Sequence, residues 1–174
     1  MFSLTMNDRA VKHLGILGGF TALVPPGELA PTLRERIAAG VVRYGPVLRW
    51  GSSPRLDEGA LPPHDLTGWE SSDNAFHLED YIPVAVTLAD GVPSISPENR
   101  RILLLQGIAF GVELVRLVYD LSPPARVRSI ISANDTCATF RFHQIRAGER
   151  WNDPDLDNYE IEEVIVIDVE PATL

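Results

Sequence analysis

Apolar and polar positions along the chain divide it into segments with two different periods. From Pro97 to about Leu121, apolar residues recur at three- and four-residue spacing. Leu105, Ile108, Val112, Val115 and Tyr119 fall on one stripe; Leu104, Gly107, Gly111, Leu114 and Val118 fall on the next. A helix apolar over more than half its circumference is a buried helix. Ser96-Pro97-Glu98 supplies a cap, a proline in the first turn and an early acid, and Pro123-Pro124 stops the run. Glycines at 107 and 111 predict close approach of a neighbouring element. Residues 127–132 and 136–145 alternate instead, and Ala133-Asn134-Asp135 between them predicts a hairpin. In the second strand Ala138, Phe140 and Phe142 face one way, with Thr139, Arg141 and His143 facing the other. A third strand is predicted over 163–169. Earlier in the chain the pattern predicts a short strand or strand-into-turn over 11–20, a helix from Thr32 to about Val42, strands at 47–50 and 81–88, and an irregular stretch over 51–74. Together these give an α+β fold, with an antiparallel sheet packed against a long central helix at about 97–121, in one domain over 1–174.

Composition changes this picture little; charge changes it more. The chain has 174 residues, 45% hydrophobic and 22% charged, and a single cysteine, so neither a disordered chain nor a disulfide scaffold is expected. The longest charge-free apolar stretch, Ile102–Val112, falls short of the roughly 20 residues of a membrane span. No signal peptide is read at the start, and the expected location is the cytoplasm. The net charge of −9 is concentrated. Between residues 149 and 170 stand Glu149, Asp153, Asp155, Asp157, Glu160, Glu162, Glu163, Asp168 and Glu170, against Arg150 alone. Such a segment repels a phosphate backbone, so nucleic acid is not an expected partner, whereas a basic protein surface is attracted. The plainer reading is a solubilising acidic surface.

Several catalytic motifs fail on spacing. Gly15–Gly19 lacks both the dinucleotide pattern and a following Gly-Lys-Ser/Thr. Cys137 and His143 are six residues apart on one strand, roughly 20 Å, too far to form a thiol–imidazole pair. Asp153, Asp155 and Asp157 match the first acids of a calcium loop, but Asn158 and Val164 stand where it needs glycine and glutamate. An Asx-type turn explains those aspartates better. No metal, cofactor or catalytic group is therefore assigned.

What remains is a binding surface. Glu149, Arg150, Trp151, Asp153, Asp155, Asp157 and Tyr159 combine carboxylates with the residue types that dominate binding hot spots, and Trp69, Glu70 and Asp73 repeat the mixture. Tryptophans that merely anchor loops to the core are the alternative. The acidic loop Gly148–Glu163, the α+β order around it and the small acidic chain resemble bacterial toxin-immunity proteins. More loosely, the chain resembles the group of these that neutralises NAD-degrading secreted toxins, including relatives of the mycobacterial necrotizing toxin. The resemblance implies a cytoplasmic inhibitor with no reaction of its own, which presses surface elements against a toxin's NAD site. The partner would be a cognate toxin, or another protein with a cationic cleft, and not a membrane. Two other classes compete: a small enzyme using His77, Glu79, Asp80 or His143 as acid and base, and a ligand-binding domain with an apolar pocket near Phe140 and Phe142.

Overall fold

The computed structural model of the chain describes residues 1–16, 27–56 and 64–171. Its centre is a five-stranded antiparallel sheet in the order β1 (Phe2–Met6), β9 (Glu163–Val169), β7 (Val127–Ala133), β8 (Ala138–Gln144), β4 (Phe76–His77). One face carries the long helix α4 (Pro97–Tyr119). Ser96 caps it by accepting from the Asn99 N–H, and Pro97 occupies the first turn, as the sequence predicts. Both helical glycines make the close approach expected of them. A Cβ at Gly107 would lie 2.9 Å from Ile131 Cγ2, and one at Gly111 would lie 2.7 Å from Ile167 Cδ1. By length and composition α4 could also cross a bilayer; here Leu103–Ile108, Phe110, Gly111, Leu114 and Val118 are buried within the fold. Val112 and Tyr119, expected on the buried stripe, are instead exposed at 43% and 47%.

The β7–β8 hairpin forms with Val127 opposite Gln144 and Ala133 opposite Ala138. Asn134 Oδ1 closes its turn by accepting from the backbone N–H groups of Thr136 and Cys137. Phe140 and Phe142 point to the α4 side. They pack with Trp50, Phe76 and Phe110; the Phe110–Phe140 centroids are 4.7 Å apart and those of Trp50–Phe142 4.9 Å. Those rings occupy the region where the competing ligand-binding reading places an apolar pocket.

The structure corrects several local expectations. Residues 8–14 form helix α1 (Asp8–Leu14) and not a strand; 17–20 lie outside the described residues. The buried Asn7 caps α1 by accepting from the Ala10 N–H, and Gly15, at φ +71°, ends it. Gly15 is thus a helix terminator where the sequence suggested a turn after a strand. Helix α2 (Pro31–Ala39) stops earlier than expected at Gly40, freeing Val41 and Val42 for β2 (Val41–Tyr44), which pairs with β3 (Val47–Trp50). Within the stretch expected to be irregular, 66–73 is helix α3 (Leu66–Asp73), capped by Asp65; 57–63 lie outside the described residues. The strand expected over 81–88 is confined to β5 (Val86–Ala89), because the chain first makes a 3-10 turn at Leu78–Asp80 and then meets Pro83. β5 pairs with β6 (Val92–Ile95) across a turn with positive φ at Asp90 and Gly91.

Candidate functional site

The second face of the sheet carries no long helix. Arg128, Ile130 and Ser132 of β7, Thr139, Arg141 and His143 of β8, and Val164, Val166 and Asp168 of β9 belong to it by alternation. The acidic loop lies across this face. Leu156 is buried against Ile130, Val164 and Val166, and Tyr159 packs on the same small cluster. The loop therefore has its own apolar anchor, separate from the main core.

Its aspartates are organised by the backbone. Asp153 Oδ1 accepts from the Asp155 N–H at 2.9 Å, and Asp155 Oδ1 from the Asp157 N–H at 3.2 Å. Asp157 Oδ1 accepts from the Asp8 N–H at 2.8 Å, in the first turn of α1. Asn158 Nδ2 donates to the second oxygen of Asp153 at 3.1 Å. These are successive Asx turns, as the spacing of the acids suggested, and they order the loop without neutralising it. The buried Asn152 fastens it further by accepting from Arg128 Nη1 at 3.0 Å. Tyr159 turns inward, where its hydroxyl accepts from the Asp153 N–H.

Other acids of the segment have internal partners. Asp168 takes a two-pronged bond from Arg128, which raises the Arg128 pKa. Glu170 pairs with Arg126 at 2.6 Å. Glu163 is buried on the α4 side, 2.9 Å from His13 Nδ1 and 3.7 Å from Arg100 Nε. Glu149 accepts from the Thr67 N–H at 2.8 Å, a bond that holds its carboxyl below the usual range. That bond also joins the loop to α3, the other sequence-predicted patch.

The three residues singled out on α3 have different fates. Trp69 is half-buried with the Arg49 guanidinium 5.6 Å from its ring centre, and Asp73 forms a two-pronged pair with that same arginine. Glu70 has no exposed side-chain surface. Its oxygens accept from the backbone N–H groups of Leu48 and Gln144, each at 2.6 Å, and from both Arg146 Nη atoms at 2.8 Å. Glu70 is thus an internal tie between α3, β3 and the end of β8. It cannot meet a partner, and its assignment to the contact surface is corrected.

On the loop itself, Trp151 is 42% exposed, with Arg141 stacked 5.3 Å from its ring centre. Ile161 is 74% exposed beside the exposed Glu160, and Arg150 is exposed. Trp151, Asp155 and Asp157 are thus presented outward, with Asp153 partly so.

The acid–base set does not converge. His77 Nδ1 lies 3.3 Å from Glu79 Oε1, but the other Glu79 oxygen accepts from the Ala138 N–H. His77 pairs with Thr139 on β8, four residues from His143, or roughly 13 Å along the strand. Asp80 is exposed. His143 is buried on the outer sheet face; Nδ1 bonds the Gln144 carbonyl, Nε2 has no protein partner among the described residues, and burial lowers its pKa. Among the described residues, no group of three or more His, Cys, Asp or Glu side chains is arranged to hold a metal ion.

Arg141 and Asn152 were not singled out in the sequence as site residues. Alternation along β8 already placed Arg141 on the outer face; what was missing is that residues 149–159 cover that face.

The chain belongs to the Uncharacterized protein PM0498 family. That family's model matches residues 63–173, a span that runs from α3 to β9 and includes the whole acidic loop. No curated protein and no solved structure matches the chain. The part shared with the PM0498 family thus holds α4, four of the five sheet strands and the outer-face loop, while β1, α1, α2 and the β2–β3 hairpin precede it.

Proposed function

We propose that this PM0498-family chain is a protein inhibitor of the immunity type, which binds a partner with a cationic cleft through the loop at 149–162. A toxin that degrades NAD is the sharpest form of this reading. The observation that carries it is the loop's construction: a charged surface ordered by Asx turns in the free chain, with Trp151 presented at its edge. A surface ordered before binding loses less entropy on association. The retained charges steer a basic partner, and an aromatic supplies the contact that exposed charge pairs, each worth about 0–1 kcal/mol, do not.

The test mixes the purified chain with the product of the neighbouring reading frame and follows NAD loss and complex formation together. Stoichiometric suppression of NAD loss is expected. Trp151→Ala should weaken the complex by about 2 kcal/mol, the scale of an aromatic hot spot. Changing Asp153, Asp155 and Asp157 together to asparagine keeps an oxygen acceptor for each Asx turn while removing three charges. It should slow association and flatten its salt dependence, with dissociation little altered. A complex indifferent to both changes would place the interface elsewhere, with Trp69 and Asp73 the next residues to alter.

A further inference from the structure

Every arginine of the chain lies among the described residues, and Arg141 differs from the rest. Arg9, Arg55 and Arg150 also make no hydrogen bond or ion pair, but those three are exposed. Arg141 is half-buried, and among the described residues its guanidinium donates to no acceptor. Partial burial lowers the Arg141 pKa, with Glu162 acting in the opposite direction. The Trp151 ring lies 5.3 Å from the guanidinium carbon and favours its charge, while its N–H groups remain without a hydrogen-bond acceptor among the described residues.

Arg141 borders a cavity of about 250 Å³ on the outer sheet face. Trp151 and Tyr159 contribute rings, the buried Ile130 and Val164 lie at its base, and Glu162 is part of its lining. Glu162 forms no ion pair with Arg141; its carboxylate takes only a long bond from Asn134 Nδ2 at 3.5 Å. Ser132 and Thr139, the hydroxyls nearest in sequence register, bond each other at 2.9 Å. Glu162 is near enough to favour the charged form of Arg141, but among the described residues no acceptor hydrogen-bonds its guanidinium.

We propose that this cavity is a socket for a carboxylate carried on a short apolar stem. A forked guanidinium matches the two oxygens of a carboxylate, while the rings and the isoleucine and valine match the stem. The charge must be single. Glu162 in the lining and the acids of the adjoining loop repel a dianion such as phosphate about twice as strongly as a monoanion, and a cationic ligand is repelled by Arg141 itself. The socket does not rest on the inhibitor reading, because it belongs to the free chain. The carboxylate has two sources, a free small acid or an aspartate or glutamate side chain of a partner.

The test titrates the full chain with benzoate and reads the amide-region NMR signals of Trp151 Nε1–H and Arg141 Nε–H. Saturable shifts at millimolar benzoate are expected, with benzamide and inorganic phosphate at least about tenfold weaker. Arg141→Gln should weaken benzoate by about tenfold, Arg141→Lys by less, and Glu162→Gln should strengthen it. The Trp151 signal reports that the variants retain the slot. A blocked tripeptide with one central glutamate is titrated in parallel; the tighter of the two ligands names the source. Absence of saturation, binding by Arg141→Gln equal to that of the unaltered chain, or phosphate or benzamide binding as tightly as benzoate would each overturn the assignment.

Discussion

Replacing Glu70 by glutamine tests whether this acid belongs to the interior or to a contact surface. The substitution keeps shape and volume but converts one carboxylate oxygen to an NH₂ group. Oε1 accepts from Leu48 N, Gln144 Nε2 and Arg146 Nη2, and Oε2 from Gln144 N and Arg146 Nη1. The new NH₂ must replace the oxygen with fewer donors, so at least two bonds are lost and a donor faces donors. Arg146 also loses the carboxylate that balances its charge. Breaking a buried ion pair costs about 3–5 kcal/mol. Arg146 keeps 17% of its side chain exposed, so water can solvate part of the freed charge, and the lower end, about 3 kcal/mol, is expected. In a domain of this size that corresponds to a fall in Tm of roughly 6–12 °C. Urea unfolding, with thermal melts alongside, reads both. Glu113→Gln provides the scale for an exposed pair: Glu113 and Arg116 meet at 3.2 Å on the surface of α4, and its loss should stay within about 0.5 kcal/mol. If Glu70→Gln also costs less than about 1 kcal/mol, the carboxylate is not holding α3, β3 and β8 together, and the internal reading of Glu70 fails.

Two further outcomes follow from buried positions on the two faces of the sheet. Gly107→Ala should destabilise more than Gly111→Ala in thermal melts, although its clash is the longer one. Its Cβ meets Ile131 Cγ2, which moves only with the branched Cβ, and Leu78 Cδ1 at 3.2 Å, whereas Gly111 meets the terminal Cδ1 of Ile167. Each substitution gains about 1 kcal/mol in helix propensity and loses about 1–3 kcal/mol to overpacking, so the opposite order would refute the packing argument. His143 should make stability depend on pH in a defined direction. Burial lowers its pKa from 6.5, so the unfolded chain binds the proton more readily just below that value. The contribution is complete above pH 6.5 and is lost as pH falls toward the folded-state pKa; His143→Gln should flatten the urea-unfolding free energy across that window.

The legible parts of the fold are those set by local signals. A serine cap, a proline in the first turn and two terminating prolines bound α4, and the alternation around Ala133-Asn134-Asp135 defines the β7–β8 hairpin. The parts that escaped depend on distant partners. Asn7 caps α1 but also bonds the backbone of Glu162 and Val164, more than 150 residues away, so its weight is invisible in a local window. α3 is short, and its buried side rests on Glu70, whose acceptors are matched only when Leu48, Gln144 and Arg146 arrive from elsewhere. In sequence an acid beside a tryptophan reads as surface; the fold gives it five hydrogen bonds and no exposed side-chain surface. Arg141 shows the converse. Its direction was legible from strand alternation, but its lack of a hydrogen-bond acceptor was not, because that is a property of the loop placed over it.

The acidic segment 149–170 divides at Glu163, and the division explains how one composition serves two ends. From Glu163 onward the acids sit on or just after a strand and meet basic side chains: His13 and Arg100 for Glu163, Arg128 for Asp168, Arg126 for Glu170. Their charge is balanced inside the fold. Before Glu163 the acids sit in a loop, and four of them meet backbone N–H groups: Glu149 that of Thr67, and Asp153, Asp155 and Asp157 those of Asp155, Asp157 and Asp8. A neutral N–H orients a carboxylate without cancelling it. The long-range field of the segment therefore originates in the loop, and the same hydrogen bonds that preserve the charge fix where it sits. An ordinary solubilising surface needs the charge alone; the inhibitor reading proposed for residues 149–162 needs both the charge and its fixed placement.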